Sequence, residues 1–347
     1  MLKESYKILD SIRLSHGLYL ASPSEHYSYV WVRDSVYIAY PYVDKNDGKY
    51  ELAYHRLLDL FKEYEWKIDI AIKQKPNLQW EYLHAKYTAH DVKEIHNQEW
   101  GHAQNDMIGA FLFGIGEGIK YGRKVIRDDK DIEIIQKLVY YLDSVQYWHD
   151  EDNGMWEEWK EVHMSSVGAC VAGLKAVEKI VHVPYDLVEK GINTCLSIFP
   201  NESISKRVDL AQLSLIYPYN VFGLSGEKIV RRVEDILTRE RGVIRYEGDS
   251  YYSTLENEQG RGLSREDYYG TEAEWCFGFP WLALCYHQLG NIEKAKFYLK
   301  KTEEVMVKPG ILPELYYANS NIPNPNTPLG WSVAMYILAK EKIKEMD

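Results

Sequence analysis

The amino-acid sequence predicts an all-α protein, and three observations carry that expectation. Apolar residues recur at three- and four-residue spacing along most of the chain, which is the repeat of one helix face. Period-2 alternation, the mark of a half-buried strand, is rare and short. The helical pattern falls into twelve segments, near 2–15, 34–43, 50–72, 104–121, 130–147, 163–180, 184–198, 207–216, 226–238, 276–290, 291–306 and 327–343. Twelve helices can pair as six hairpins.

Taken in order, the first segment carries Lys3 and Glu4 in its opening turn and is amphipathic. It has neither the apolar core nor the small-residue cleavage site of a signal peptide, so a cytoplasmic location is expected. Segment 34–43 holds Tyr37, Tyr40 and Tyr42, which read as wall packing. Segment 104–121 opens on Gln104-Asn105-Asp106, residues suited both to capping a helix and to contacting a sugar. The hairpin reading is best supported at 276–306, where Leu289-Gly290-Asn291 stops one helix and starts the next. Glu293 to Lys296 and the run from Lys340 to Asp347 are solvated helix faces. No Gly/Ser-rich or Pro-rich linker divides residues 1–347, which predicts a single domain. The stretches 16–33, 73–103, 148–162, 239–274 and 307–326 are long, polar and aromatic, and such loops in a compact domain are usually functional. A ring of hairpins that gathers these loops at one end would form a bowl with an aromatic, acidic floor.

Composition narrows the function. Lys and Arg total 41 against 52 Asp and Glu, a formal charge of −11, with no basic run to hold nucleic acid or an anionic membrane. No apolar run approaches the ~20 residues of a membrane span. Cys170, Cys195, Cys276 and Cys285 form no CxxC and read as small buried hydrophobes, with a 276–285 bridge left open. His84, His90, His96 and His102 recur every six residues, a step that turns a helix by ~240° and does not put metal ligands on one face. No metal and no organic cofactor is expected. The chain has 10 Trp and 29 Tyr, a surplus that suits a concave surface for flat, hydroxyl-rich ligands.

Five segments could carry chemistry: Tyr29-Val30-Trp31-Val32-Arg33-Asp34, Trp100 to Asp106, Met155-Trp156-Glu157-Glu158-Trp159, Arg245-Tyr246-Glu247-Gly248-Asp249 and Leu312-Pro313-Glu314-Leu315. Cleaving a glycosidic bond takes one carboxylic acid to protonate the leaving oxygen and one carboxylate on the opposite side. An Arg–Asp pair such as Arg33-Asp34 can grip neighbouring hydroxyls, and a nearby Trp offers a stacking face. Each residue also has a plainer reading. Arg33-Asp34 suits a helix cap, Glu157-Glu158 a solvated acidic loop, and Glu314 a surface carboxylate.

Together and in this order, the five segments resemble glycoside hydrolase family 15, the glucoamylase-like family, and its relatives in the phosphorylase kinase regulatory subunits. YVWVRD resembles the family's W-x-R-D, WGHAQND its W-G-x-x-Q-N-D, and WEE its L-W-E-E. RYEGDSYY resembles the bacterial R-Y-x-x-D-x-Y, and LPE with NTPLGWSVAMYILA resembles the segment of the catalytic base running into the last helix. The resemblance spans residues ~18–340 and implies an (α/α)6 toroid. It implies Glu157 as general acid, Glu314 as general base, and an inverting reaction with the carboxyls about 6.5–9.5 Å apart. It further implies substrate contacts from Trp31, Arg33, Asp34, Trp100, Gln104, Asp106, Trp156, Glu158, Arg245 and Trp331. The substrate arginine could also be Arg261 or Arg265, since Arg265 to Tyr269 partly repeats RYEGDSYY. Pro313-Glu314-Leu315 departs from the pattern by lacking an acidic or amide residue after the base. Neither an N-terminal β-sandwich nor a starch-binding domain is expected, which favours a short oligosaccharide over starch. The expected activity is release of glucose from the non-reducing end of an α-gluco-oligosaccharide. The alternative is a non-catalytic, oligosaccharide-binding regulatory protein.

Overall fold

The computed structural model describes residues 1–96, 100–255 and 262–344. Among them run twelve α-helices: α1 (Leu2–Ser11), α2 (Val32–Ala39), α3 (Lys49–Glu63), α4 (Glu65–Lys73), α5 (Asn105–Lys120), α6 (Asp129–Val145), α7 (Met164–Val177), α8 (Leu187–Ile198), α9 (Glu227–Leu237), α10 (Gly278–Gln288), α11 (Ile292–Glu304) and α12 (Gly330–Lys344). Four short strands, β1 (Tyr29–Trp31), β2 (Lys86–Thr88), β3 (Glu274–Trp275) and β4 (Leu315–Tyr316), make two antiparallel pairs. The helix count agrees with the sequence through two offsetting differences. Segment 50–72 breaks at Tyr64 into α3 and α4, whereas 207–216 forms only a 3-10 helix, Leu210–Leu215. The break has a tertiary cause: Tyr64 closes α3 through Leu60 O, its carbonyl starts α4, and its hydroxyl accepts the Glu94 N–H at 2.9 Å.

The chain forms two compact units. The first, Arg13–Leu20 with Tyr29–Ser205, contains α2 to α8. Its centre is the contact of α5 with α7, where a Cβ on Gly109 would lie 2.4 Å from the Ala169 backbone and one on Gly173 2.4 Å from Gly109 O. Glycine there lets the two backbones touch. Phe61, Tyr54 and Phe111 pack ring on ring beside this contact, with centroids 4.9 and 5.7 Å apart. The β1–β2 ladder pairs Trp31 with Lys86 and leads directly into α2.

The second unit, Met1–Ile12 with Ala21–Ser28 and Lys206–Asp347, contains α1 and α9 to α12. Helices α10 and α11 form the expected hairpin. Gly290 takes the left-handed φ of +79° that a tight helix stop requires, and Asn291 caps α11 by accepting the Lys294 N–H at 3.1 Å. Phe277, Trp281 and Trp331 fill the core behind it, the Phe277 and Trp331 rings parallel at 5.1 Å. The β3–β4 pair aligns Trp275 with Leu315, next to Glu314.

Candidate active site

The five sequence segments divide between the units, three in the first and two in the second, and each unit gathers one cluster. In the first unit, the cluster begins where β1 passes into α2. Arg33, 4% exposed, lies in the first turn of α2, and its Nε and Nη2 donate to the two Asp106 oxygens at 2.6 and 3.1 Å. Arg33 Nη2 also donates to Gln104 Oε1 at 2.6 Å. Buried beside Asp106, the guanidinium is held firmly protonated despite its desolvation. Asp34 is buried next to it in the same turn.

Gln104 connects this arginine to Glu157. Its amide nitrogen donates to Glu157 Oε1 at 3.2 Å, and Arg33 Nη1 stands 4.0 Å from the same oxygen. The side chain of Gln104 therefore bridges rather than caps. The first N–H of α5, on Asn105, is capped by Asp152 Oδ2 at 3.0 Å instead. Asp152 also pairs with Glu161 in both directions, backbone to backbone, and closes the loop that presents Glu157. Within that loop Glu157 adopts φ +63°, a left-handed conformation that costs a non-glycine residue roughly 1–2 kcal/mol. Strain of this kind persists where the surroundings over-determine the backbone. Here the Gly154 and Asn153 carbonyls accept the N–H groups of Glu157 and Glu158.

Burial raises the Glu157 carboxyl above its ordinary range, while Arg33, Gln104, Lys86 and Trp100 pull it back. Lys86 was not singled out in the sequence. It comes from β2 and is 5% exposed, with its ammonium 3.7 Å from the Trp100 ring centroid, 4.1 Å from Tyr29 and 5.3 Å from Trp31. Two of the expected sugar platforms, Trp31 and Trp100, thus face a buried cation. Trp156 is half-buried beside Glu157. A cavity of about 940 Å³ opens in this unit, with Trp100, Asn153, Glu157 and Glu158 on its wall.

The cluster of the second unit centres on Glu314, 1% exposed. Its backbone is fixed by Asn326 O, which accepts the Glu314 N–H at 3.1 Å, and by the Cys276 N–H, which donates to Glu314 O at 2.9 Å. Tyr27 donates its hydroxyl to Oε1 in a short hydrogen bond, and the amides of Asn324 and Asn326 donate to Oε2 at 2.5 and 2.7 Å. The amides missing after Pro313-Glu314 therefore arrive from ten and twelve residues downstream. Burial raises the Glu314 carboxyl, opposed by these three donors and by the charge of Arg245. The Tyr27 hydroxyl is pushed well above its usual range by burial and by Glu314, so it stays a donor.

Arg245 is the arginine of this cluster. It forms a bidentate pair with Asp249, both bonds 2.6 Å, and lies 4.9 Å from the Tyr251 ring and 5.1 Å from Trp275. Arg265 instead covers Tyr246 at 5.0 Å and donates to Glu247 O, while Arg261 lies outside the described residues. Trp331 is buried against Phe277. Of the four histidines, His84 and His102 stack face to face at 3.7 Å, and His90 and His96 are exposed. Among the described residues no cluster of His, Cys, Asp or Glu could hold a metal ion, all four cysteines are free and buried, and no helix is long and apolar enough to cross a membrane.

Helical architecture and two clusters of carboxyl, arginine and aromatic side chains define a glucoamylase-like protein. Its sequence matches the profile of glycosyl hydrolases family 15 over residues 8–199, more than half of the chain, and the chain belongs to that family. Among curated proteins it is similar to the regulatory subunit alpha of phosphorylase b kinase, skeletal muscle isoform, from Oryctolagus cuniculus, 26% identical over 370 aligned residues. That alignment covers 89% of this chain and 30% of the relative. The chain spans between 25% and 31% of the length of such relatives. Among solved structures, a wild-type glycosidase superposes with a TM-score of 0.81 at 17% identity, covering 99% of this chain and 96% of that one. A bacterial glucoamylase complexed with acarbose gives 0.69 at 17%, covering 99% and 55%. The likeness shows the fold, the (α/α)6 architecture expected from the sequence.

Proposed function

We propose that the chain is an inverting, exo-acting α-glucoside hydrolase that releases glucose from the non-reducing end of a short α-gluco-oligosaccharide. The observation that carries this reading is the pair of unlike carboxyl settings. Glu157 is raised by burial and stands beside Arg33 and Lys86, so it can enter protonated and leave as a stabilised anion. Glu314 is held by three neutral donors, two of them on Oε2, which leaves room on Oε1 to accept a proton.

In the single displacement, water adds its oxygen to the anomeric carbon and gives a proton to Glu314. The glycosidic carbon–oxygen bond breaks as Glu157 delivers its proton to the leaving oxygen. Arg33 with Asp34, Gln104 and Asp106, Arg245, Glu158 and the indoles of Trp31, Trp100, Trp156 and Trp331 are proposed to bind or shape the terminal glucose pocket. The four buried free thiols fit a reducing compartment, and we place the protein in the cytoplasm.

The test is glucose release, with the anomer identified early by NMR, from maltose, maltotriose, isomaltose, nigerose and trehalose. The expected outcome is β-glucose from at least one of them, abolished in Glu157→Gln. A second reading, an oligosaccharide-binding regulatory module, is favoured by the similarity to kinase regulatory subunits. Saturable binding without turnover on the whole panel would establish that reading in place of the first.

A further inference from the structure

Besides their own contacts, the segment from Trp100 to Asp106 and the loop from Asp152 to Glu161 are joined by a side chain that belongs to neither. Gln79 opens a 3-10 turn, Gln79–Glu81, ahead of β2, and its amide spans the gap. Gln79 Oε1 accepts the Ala103 N–H at 2.9 Å, and Nε2 donates to Asn153 Oδ1 at 2.8 Å. The Asn153 N–H donates to Ala103 O at 2.6 Å and closes a ring of hydrogen bonds through the three residues.

Donor and acceptor roles in this ring are forced. The Ala103 N–H can only donate, so Gln79 meets it with oxygen and turns its NH2 toward Asn153. Asn153 receives that NH2 with oxygen, which aims its own NH2 at Glu158 O in a short hydrogen bond. Asn153 O in turn accepts the Glu158 N–H at 3.0 Å. Both backbone polar groups of Glu158 are therefore held by one residue, directly after the left-handed φ of +63° at Glu157.

Close packing keeps the ring in register. Asn153 is buried, and a Cβ on Gly101 would lie 2.7 Å from its Cγ, so only glycine lets the two segments approach this closely. On the far side of Ala103, the Gln104 amide donates to Gly101 O and to Glu157 Oε1. The ring thus sets how far the segment that bears Gln104 stands from the loop that bears Glu157.

We propose that Gln79 is a positioning residue for Glu157: its amide fixes the spacing of the two segments and, through Asn153, the strained backbone that carries the acid. The role rests on the hydrolase reading of that site. Proton delivery needs hydrogen-bond reach to the leaving oxygen, and a displacement of about 1 Å costs roughly 10²-fold in rate. The turn itself does not depend on the Gln79 side chain, which is half-buried. It is clamped by the Glu81 carboxylate, which accepts the N–H groups of Asn77 and Leu78 at 2.8 and 3.0 Å. Gln79 also stands on the cavity wall, so direct contact with a sugar is the competing role, and the test separates the two.

The experiment uses Gln79→Met, which keeps the length of the side chain and loses both hydrogen bonds. Turnover is measured on an oligosaccharide that the native protein cleaves and on α-glucosyl fluoride, whose departure needs no proton. Calorimetry in a Glu157→Gln background gives affinity for the same oligosaccharide. The expected result is a fall of about 10- to 100-fold in kcat on the oligosaccharide, a rate on the fluoride within about threefold of native, and unchanged affinity. Asn153→Ala should show the same split, and the double variant should lose little more than either single one. If Asn153→Ala fails to fold, Gln79→Met decides alone. Equal losses on both substrates, an unchanged kcat on the oligosaccharide, additive losses in the double variant, or an affinity that falls as far as turnover each overturn the role and leave the hydrolase reading standing. No turnover of either substrate by the native protein removes the hydrolase reading and the role with it.

Discussion

Glu157, partly exposed, and Glu314, fully buried, are both carboxyls raised by desolvation, yet the groups that restrain them differ in kind. Around Glu157 two of the restraining groups are cations, Arg33 and Lys86, and the backbone carries it at a left-handed φ of +63°. Around Glu314 they are a phenol and two amides, with Arg245 acting as a charge behind them. Under the proposed mechanism the first carboxyl begins neutral and ends as an anion, and the second does the reverse. Cations beside Glu157 stabilise the anion it becomes. Neutral donors around Glu314 stabilise the anion it already is, without holding it so low that it could not take a proton.

The largest expected effect separates the two roles outright. Glu157→Gln and Glu314→Gln should each lower kcat on an oligosaccharide by about 10²–10⁴-fold. On α-glucosyl fluoride, whose leaving group needs no proton, Glu157→Gln should recover most of the native rate while Glu314→Gln stays low. Equal losses on both substrates would show that the carboxyls do not divide the work as acid and base.

A smaller effect sharpens the contrast between charged and neutral restraint. Both carboxyls are raised, so the pH profile of kcat/KM should have both limbs above the ordinary carboxylate range. Lys86→Met removes a cation that favours the anionic form of Glu157, so the carboxyl rises further and the alkaline limb moves up by about one pH unit. Tyr27→Phe removes a donor from Glu314, so the acidic limb moves up instead. The check is the limb that moves in each variant. A shift of the same limb in both would undo the separation.

The fold was largely legible because helix periodicity is local, and the acidic segments were legible because each keeps its carboxylate and aromatic together in sequence. What escaped was assembled across the chain. Lys86 belongs to a three-residue strand with no chemical signature, and it meets Trp31 only through the β1–β2 register. Tyr27 ends a short 3-10 turn, Glu25–Tyr27, 287 residues from Glu314, and Asn324 and Asn326 sit among prolines that read as connection. Gln104 looked equally suited to capping, and only the position of Asp152 at the first N–H of α5 frees its side chain to bridge Arg33 and Glu157. The break at Tyr64 has no glycine or proline to announce it, because its cause is the Glu94 N–H thirty residues away.

The smallest effect is on stability, and its sign follows from the same comparison. A carboxyl raised in the folded protein binds its proton more tightly there than in the unfolded chain. Its contribution is fully present below the unfolded value and is lost as pH rises through the folded value. At neutral pH burial of Glu314 as an anion therefore opposes folding. Glu314→Gln removes that opposition and keeps an acceptor for the Asn324 and Asn326 amides, so its Tm should exceed the native value by about 2 °C at pH 7. The difference should vanish below the ordinary carboxylate range. Glu157→Gln should gain less, because removing its negative charge leaves Arg33 and Lys86 less compensated. Thermal unfolding of the two variants between pH 4 and 8 measures both curves, and a larger gain for Glu157→Gln would mean that the cations around it stabilise its charge less than the three neutral donors stabilise that of Glu314.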